Sequence, residues 1–500
     1  MKLPLISEPG SSLRGRQQAG VTMLVVAIAM VAIIAMAALS IDVVTLYLAR
    51  METQRSADAA ALAAARVISV SGLTGDPLNA SASWQAICGV ASPPTPATQA
   101  AAYAAQQNLI GGVAPTTANV TVKYSAGGNT PNPDCSTMPA AFGVNPMVTV
   151  VVKRNNLPTF FSRLWGATGN SVSATAAAEA FNSSNSSKYG NGTTGTTTPV
   201  QPRCVKPWLI PNRDPLYPGP GGNGWCDQGG GACQPYVDTA TGQIMREGIS
   251  IIGGYDNVIG ETLELVPDCH RHSSTCVLRS NPPLANYAVP LPEQLPSLVY
   301  LPGEPPSTTP VAVPSCSART NLYQEAIAGC DQSTVYQCGV QNGNVINLAE
   351  NPGPFTGDTT NGVTCLINQD NTNPNQQPSG QDTIVTTSYP FQIRAGSSNA
   401  LVSHGSLSSG ADITASNSIV SLPIYDSGPS NNETSINPTG LTQVTIVGFL
   451  QVFINQVDAN GNVSVTVLNV TGCGNGQGKP PVGNPVTGSS PVPIRLITPP

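Results

Sequence analysis

The densest group of chemically reactive side chains in this sequence is the stretch DCHRHSSTC at 268–276. Thiolate and imidazole are both ligands that suit zinc, so a metal site is one hypothesis. The spacing Cys-His-x-His-x₃-Cys, however, matches no common zinc motif. A disulfide between Cys269 and Cys276 is the alternative, and closing so short a loop stabilises a fold by roughly 2.5 kcal/mol in the chain-entropy model. We therefore expect a disulfide and no bound metal here.

The other cysteines are interpreted in the same way. Cys226 and Cys233 flank a glycine-rich turn, and Cys330 and Cys338 are also close in sequence, so each of these two sets is a candidate local pair. Cys88 and Cys135 are the only cysteines between residues 71 and 182, which makes them a candidate pair as well. Sequence alone does not fix connectivity, so these pairings are hypotheses.

Catalytic signatures are scarce. The chain has three histidines, His270, His272 and His404, and it contains no HExxH, GxSxG or P-loop motif. We expect no enzyme activity and no cofactor. A hydrolase that uses His404 or His270 stays an alternative, because the members of a catalytic triad are distant in sequence.

Two further patterns argue against particular ligands. The segment DANGN at 458–462 has the start of a calcium-loop spacing but lacks the downstream glutamate, and Asn460-Gly461 favours a tight hairpin turn instead. The formal net charge is −6, and only 10% of the residues are charged. This balance argues against a nucleic-acid partner.

The positioning elements begin with an uncharged apolar run near the N-terminus. Val21 to Ile41 covers 41 − 21 + 1 = 21 residues, or about 31 Å as a helix, which is enough to cross a bilayer core of ~30 Å. Asp42 ends the run, and Arg16 and Gly20 precede it, so these three residues mark the predicted membrane boundaries.

Two interpretations of this run are open. Ala35-Met36-Ala37 fits a signal-peptidase pattern, so a cleaved signal peptide is the alternative. The residues after it, however, are good helix formers, with neither Gly nor Pro until Gly72. We therefore predict an uncleaved anchor whose helix continues beyond the bilayer.

Flanking charges and cysteines predict the orientation of this anchor. Lys2, Arg14 and Arg16 precede the apolar run, which favours a cytosolic N-terminus. All twelve cysteines follow it, and an even count in a loop-rich chain indicates disulfides made in an oxidising compartment. The bulk of the chain is thus expected outside the cytoplasm.

The predicted fold class is α+β: an N-terminal transmembrane helix extends into a small mixed α/β domain, and a larger disulfide-rich, mainly-β region follows. After residue 200, helical periodicity is confined to Thr320–Ala328, and the strongest strands are Gln443–Val457 and Asn462–Val470. The predicted divisions are 1–20 cytosolic tail, 21–41 transmembrane helix, 42–70 juxtamembrane helix, 71–182 small α+β domain, 183–199 linker, 200–473 Cys-rich mainly-β region and 474–500 Gly/Pro-rich tail.

The N-terminal segment resembles a known family. The elements that match are the basic residue and glycine before the apolar run, Ile41-Asp42-Val43 at its end, the YLAR stretch at 47–50 and the small-residue run at 57–65. In this combination they closely resemble the start of the TadE/TadG-like proteins of tight-adherence (Flp) pilus systems. The stretch from VTVVVKRNNL to SATAAAEA, at 148–180, is similar to a second block of TadG-type proteins.

The resemblance implies a single-pass protein of the bacterial inner membrane, with its bulk in the periplasm, that assists the assembly or anchoring of an adhesive pilus. Its partners would be the inner membrane and other pilus-assembly proteins or pilin subunits. Some TadG-type proteins carry a von Willebrand A domain with a DxSxS metal motif. The nearest string here, DQSTV at 331–335, lacks the final serine, so we expect no such site. A secreted or surface-exposed adhesin-like protein with a cleaved N-terminus is the alternative function.

Overall fold

The protein is described from a computed structural model. The residues it describes are 14–70, 81–126, 130–138, 142, 146–159, 166, 169–180, 200–216, 234–239, 244–246, 249, 257–267, 296–314, 321–336, 345–349, 355–370, 379–387, 390–413, 415–427, 443–473, 486–488, 494–497 and 499.

The chain divides into two compact units. Unit 1 comprises Met1–Ala57, Ala105–Thr121 and Val151–Thr175. Unit 2 comprises Asp58–Ala104, Val122–Val150 and Ala176–Pro500. Each unit is therefore assembled from segments that are distant in sequence.

The helices are α1 Arg14–Val70, α2 Ser81–Cys88, α3 Pro96–Gln106, α4 Leu322–Ala328, α5 Phe355–Ile367 and α6 Ala400–Ser403. Pro96 opens α3 at the first-turn position where proline fits without losing a hydrogen bond. The expectation of little helix after residue 200 beyond Thr320–Ala328 is wrong for α5. Its threonines, asparagine and glycines are weak helix formers, and the helix is stabilised instead by packing, since a Cβ at Gly362 would lie 2.9 Å from Ile327.

The first seven strands are β1 Val120–Ser125, β2 Met147–Leu157, β3 Asn170–Ala180, β4 Val200–Pro202, β5 Trp208–Pro211, β6 Thr262–Pro267 and β7 Ser297–Pro302. The next five are β8 Val345–Asn347, β9 Thr383–Val385, β10 Gln392–Arg394, β11 Asp412–Ile413 and β12 Ile419–Tyr425. The last four are β13 Gln443–Val457, β14 Val463–Gly472, β15 Val486–Gly488 and β16 Ile494–Ile497.

A four-stranded sheet has the order β1-β2-β3-β16. Its last strand comes from the predicted Gly/Pro-rich tail: β16 pairs antiparallel with β3, with Ile494 opposite Ala180. Arg495 of this strand forms an ion pair with the fully buried Glu179. Part of the tail is thus a sheet edge, which its composition does not predict.

Three aromatic side chains of unit 2, Trp84, Tyr124 and Phe142, form a cluster. Phe142 contacts Trp84 edge-on with ring centroids 4.9 Å apart, and Tyr124 at 6.4 Å. The Tyr124 hydroxyl lies 3.1 Å from Thr98 Oγ1 of α3, and burial raises the pKa of Tyr124 to about 12. The side chains of α2, α3 and β1 are thereby joined in one core.

Six strands of unit 2 close into a barrel. The ring order is β12-β5-β7-β6-β14-β13, and β13 pairs back onto β12. The neighbours β5–β12 and β6–β7 are parallel, and the other four pairs are antiparallel. Strand β8 adds to β13 outside the ring. Closure pairs the strands of the ring on both sides, which removes the open edges that an isolated sheet would expose.

Successive residues of the barrel strands point into two different hydrophobic clusters. Trp208 and Ile210 of β5 belong to the larger cluster and Leu209 to the smaller one, and Leu450 and Phe449 of β13 divide in the same way. This is the period of two that a strand imposes. Because both faces are covered, apolar residues occupy consecutive positions in these strands, as in WLIP of β5. The larger cluster also holds residues of α4 and α5, including Tyr323 and Val363.

The segment DANGN forms the turn between β13 and β14. Asp458 Oδ1 accepts hydrogen bonds from the amides of Asn460 and Asn462, at 2.8 and 2.9 Å, and Gly461 has φ +78°. Thr360 Oγ1 of α5 donates to the Asp458 carbonyl at 2.9 Å. The segment is a hairpin turn, as its sequence predicts, and the Asp458 carboxylate is hydrogen-bonded within it.

Taken together, a long apolar N-terminal helix is followed by a mainly-β region that contains a barrel and disulfides. The predicted α+β class is confirmed. The predicted domain boundaries stay predictions, and the linker at 183–199 lies outside the described residues.

Candidate functional site at the N-terminal helix

Helix α1 is a single continuous element that begins at Arg14 and ends at Val70. Its large apolar side chains are exposed from Val21 as far as Met51, and no charged residue occurs between Val21 and Ile41. Soluble proteins rarely expose a continuous apolar surface of this length to water, because its exposure is unfavourable. This helix is long and apolar enough to cross a membrane.

A buried stripe begins inside the apolar run. Ala38 is 7% exposed, Asp42 6%, and Ala49 and Thr53 are also buried, whereas the residues between them are mostly exposed. Spacings of four and seven residues place these side chains on one helix face. One face of α1 is therefore buried from Ala38 onward, while the other faces stay mostly exposed as far as Arg55.

Polar side chains attach the next turns of α1 to the rest of unit 1. Glu52 Oε2 accepts a hydrogen bond from the Gly111 amide at 2.7 Å. Gln54 Nε2 donates to the Thr175 carbonyl at 3.3 Å, and Ser56 Oγ donates to the Ala105 carbonyl at 3.2 Å. The partners are backbone groups of two segments that are distant from α1 in sequence, Ala105–Thr121 and Val151–Thr175, so the helix is held at several points.

A cavity of about 190 Å³ opens beside the buried stripe. It is lined by Asp42, Thr45, Leu46, Ala49, Gly111, Leu157, Pro158 and Asn170. Gly111 has φ +58°, and a Cβ there would lie 3.0 Å from Leu157 Cδ2. Glycine therefore permits both the turn and the close approach that forms this wall.

The residues predicted to mark the membrane boundaries all lie in α1. Arg16 and Gly20 are in its first turns, and their side chains lie outside the described set. Asp42 was expected at the outer boundary of the span; the structure buries it and makes it part of the cavity wall. Leu157 and Asn170, which line the same cavity, are far along the chain, and no local sequence signal identifies them.

The cysteines divide into those that lie in the described residues and those that do not. Cys88 is joined to Cys135, and both lie in unit 2. Cys330 is joined to Cys204, so the prediction of a local Cys330–Cys338 pair is wrong. The barrel fold brings two distant segments together, and this overrides closeness in sequence. Both Cys365 and Cys473 are also disulfide-bonded, whereas Cys226, Cys233, Cys269, Cys276 and Cys338 lie outside the described residues.

Of the candidate catalytic and metal-binding residues, the structure describes His404 and Asp331. His404 is exposed at the end of α6, with Nδ1 2.5 Å from the Ala400 carbonyl oxygen. Asp331 of the DQSTV string accepts hydrogen bonds from Ser333 N and Ser333 Oγ, both at 2.8 Å. Within the described ranges, no three His, Cys, Asp or Glu residues are grouped to hold a metal ion. His270 and His272 lie outside those ranges.

A buried lysine in the barrel region was not identified from the sequence. Lys206 Nζ donates to the Gly329 carbonyl at 2.6 Å and lies 3.5 Å from that of Ala326, at the C-terminal end of α4. Burial lowers its pKa to about 7, although the negative charge of Asp331 opposes the shift. Lys206 is two residues from Cys204, whose disulfide partner Cys330 follows Gly329.

A second buried group is an ionic network. Arg246 contacts Asp214 through Nε at 3.0 Å and through a terminal nitrogen at 2.9 Å, and it also forms an ion pair with Glu261. Both carboxylates are almost fully buried. The positive charge of Arg246 is thus paired with the negative charges of the two carboxylates, since an unpaired charge is costly to bury. Asp214 and Glu261 thus share one guanidinium group.

Comparison with known proteins identifies the N-terminal part of the chain. Residues 20–67 match the family model described as putative Flp pilus-assembly TadE/G-like. No curated protein and no solved structure matches the chain. The match implies involvement in Flp pilus assembly, an association with the membrane and contacts with other pilus components. The matched residues lie within α1 and include both the exposed apolar run and the buried stripe. Over residues 20–67 the N-terminal helix of this chain is therefore similar to the TadE/G-like Flp pilus-assembly family, as its sequence predicts.

Proposed function

We propose that this chain is a membrane-anchored, periplasmic and non-catalytic structural component of Flp pilus assembly. The observation that carries the proposal is the continuity of α1: one uninterrupted helix has an exposed apolar part and a part packed into unit 1. Because no break separates them, the apolar part serves as an anchor that holds the folded part beside the membrane.

The proposed orientation places the N-terminus in the cytosol and the folded regions in the periplasm. Supporting this, basic residues precede the apolar run, and all twelve cysteines follow it. The six cysteines that the structure describes are all disulfide-bonded, which suits an oxidising compartment.

We infer a mechanical rather than a catalytic role. The family is generally structural. The buried charged groups described above bind backbone carbonyls or one another, so their partners lie within the fold. Partners would be pilin subunits or other assembly proteins bound at the folded regions.

An adhesin released by cleavage after Ala37 is the second candidate. It is favoured by one observation: protein cover of α1 begins at Ala38, directly after the Ala35-Met36-Ala37 pattern. Cleavage there would remove the exposed apolar part and leave the buried stripe intact.

Mass spectrometry of the native N-terminus after membrane fractionation tests the two. An intact peptide from residues 1 to 20 in the inner-membrane fraction supports the anchor. A mature chain that starts at Ala38 in the culture supernatant refutes the anchor and supports the adhesin. Loss of Flp pili on gene deletion, restored by the full chain, tests the assembly role separately.

A further inference from the structure

We propose that the face of α1 opposite the buried stripe binds the membrane helix of a different protein, one that carries acidic side chains just outside the bilayer. We call this face the seam, and it comprises Ala37, Ser40, Val44, Tyr47 and Met51. The inference rests on the anchoring role proposed above and deepens it by naming a surface and the chemistry of its partner. It depends on the direction of the seam, its length and the charges beside it.

The seam points away from the rest of unit 1. At about 100° per residue, Val44, Tyr47 and Met51 are turned about 140–200° from the buried Asp42 around the helix axis. These three side chains are 56%, 64% and 51% exposed. One side of α1 is thus packed into the fold, and the opposite side presents large apolar side chains.

The spacing within the seam is that of packed helices. Its members are separated by three and four residues in alternation, as the a and d positions of a helix pair are. Ala37 and Ser40, the members inside the predicted span, are small, and the Ser40 hydroxyl donates to the Ala37 carbonyl at 2.7 Å. Small side chains at this depth allow a second membrane helix to approach closely.

The length of the exposed apolar surface exceeds the thickness of a bilayer. Val21 to Met51 covers 51 − 21 + 1 = 31 residues, or about 46 Å as a helix, against ~30 Å for a bilayer core. A helix of this length would fit into the core only at a tilt of roughly 50°, beyond the range of about 0–40° found for membrane helices. Lipid alone therefore does not cover the whole surface, and a partner helix that leaves the bilayer beside α1 would cover the remainder.

Two arginines beside the seam select the partner. Arg50 and Arg55 are exposed and occupy the g and e positions on either side of Met51, and within the described residues no ion pair involves either of them. Two copies of this chain, anchored in the same orientation, would pair in parallel and bring Arg50 of one copy beside Arg55 of the other. Like charges disfavour that pair. Acidic residues at the matching positions of another helix would instead form ion pairs, so the seam favours a different protein.

The test supplies an acidic helix of known sequence, the Arg50→Glu/Arg55→Glu variant of the full chain. It is mixed with the unreversed chain in phosphatidylcholine vesicles, and both carry Met51→Cys and tags of different mass. The initial rate of disulfide cross-linking under a mild oxidant measures how often the seams meet, and chains that keep Met51 report cross-linking through other cysteines. Lys123→Glu/Lys153→Glu is the matched control, because it reverses two exposed lysines outside α1. Arg55→Glu alone is the second variant, in case the double variant does not fold.

We expect the mixed pair to cross-link about tenfold faster than either chain with itself, because two contacts change from repulsive to attractive. Arg55→Glu should give a smaller increase. The lysine control should cross-link with the unreversed chain no faster than the unreversed chain does with itself. Equal rates for mixed and self pairs, or no cross-linking through Met51→Cys in any pair, would overturn the proposal.

A spin label on the same cysteine distinguishes a protein cover from the bilayer. In vesicles that hold the unreversed chain alone, we expect a water-soluble nickel complex to relax the label. Relaxation by oxygen and not by nickel would place Met51 among lipid tails, and the proposal would then be wrong. Vesicle flotation reports on anchoring separately. A chain that does not float refutes the anchor and with it the seam interface, whereas a chain that floats without the charge preference refutes only the interface.

Discussion

The buried lysine of the barrel region makes the stability of the protein depend on pH. Lys206 is fully buried and has a pKa of about 7 in the folded chain, whereas an exposed lysine has a pKa of about 10.4. Between these values the unfolded chain holds a proton that the folded chain has released. The free energy of unfolding therefore rises with pH in this window, and the penalty of burying a charge is fully present below pH 7.

The magnitude follows from the shift. Each pKa unit corresponds to about 1.4 kcal/mol, so the whole window is worth about 5 kcal/mol and the step from pH 7 to 9 about 2 kcal/mol. Lys206→Met removes the titrating group and keeps most of the volume. It also leaves the Gly329 and Ala326 carbonyls without this donor. That loss is independent of pH, so it cancels when the change between two pH values is compared.

Urea titrations of the full chain in detergent, followed by tryptophan fluorescence at pH 7 and pH 9, measure this difference. Wild type should gain about 2 kcal/mol more than Lys206→Met between the two pH values. Lys123→Met, at an exposed position, should behave like wild type. If wild type and Lys206→Met change in parallel, burial does not favour the neutral amine and the reasoning is refuted.

Three other changes test the packing of unit 2 in the same urea titration. Replacing Cys204 and Cys330 together by Ser removes a cross-link between positions 126 apart and should lower the free energy of unfolding by up to ~5 kcal/mol. Gly461→Val places a β-branched side chain at φ +78° and should cost about 1–3 kcal/mol. Arg66→Met removes the 2.5 Å hydrogen bond from Arg66 to Gln451 Oε1 and should cost about 1.5–3 kcal/mol.

Each of these changes has its own control. For the cysteine pair it is wild type under reducing conditions, which should be less stable than the double variant, because the Cys88–Cys135 bond is lost as well. For Gly461→Val it is Gly461→Asn: asparagine tolerates a positive φ and should recover the conformational part of the loss, whereas the approach of any Cβ to the Thr356 carbonyl oxygen, at 3.0 Å, is common to both variants. For Arg66→Met it is Arg55→Met, because Arg55 is exposed on the same helix. A loss at Arg55 equal to that at Arg66 would contradict the role given to the bond with Gln451.

The elements with strong local patterns are those that the sequence predicts well. The run of helix formers from Ile41 to Val70 is helical, and the β-branched runs ending at Val457 and Val470 form an antiparallel hairpin at the predicted turn. These patterns depend on neighbouring residues, whose spacing is fixed by the backbone. Barrel closure is different. Parallel pairs such as Ile424 with Ile210 join segments whose distance along the chain no local pattern encodes.

The candidate site shows the same limit. Asp42 is evident in the sequence as the first charge after the apolar run, but its burial depends on segments around Gly111, Leu157 and Asn170. A charged residue at the end of an apolar helix is normally expected in solvent. The Cys204–Cys330 bond was missed for the same reason, because proximity in the fold and proximity in sequence differ.

Because α1 is uninterrupted, any change in its length also changes the direction in which its later side chains point. Each residue inserted into an α-helix advances it by ~1.5 Å and turns it by about 100°. An insertion between Ala38 and Ala49 would put the buried stripe out of phase with itself and turn Asp42 away from the wall that covers it. The exposed run before Ala35 has no buried face, and all its faces are apolar. A rotation of this part of the helix therefore changes nothing in its surface chemistry. Changes in bilayer thickness can thus be matched by additions near Val21, whereas the turns between Ala38 and Ala49 are fixed in number.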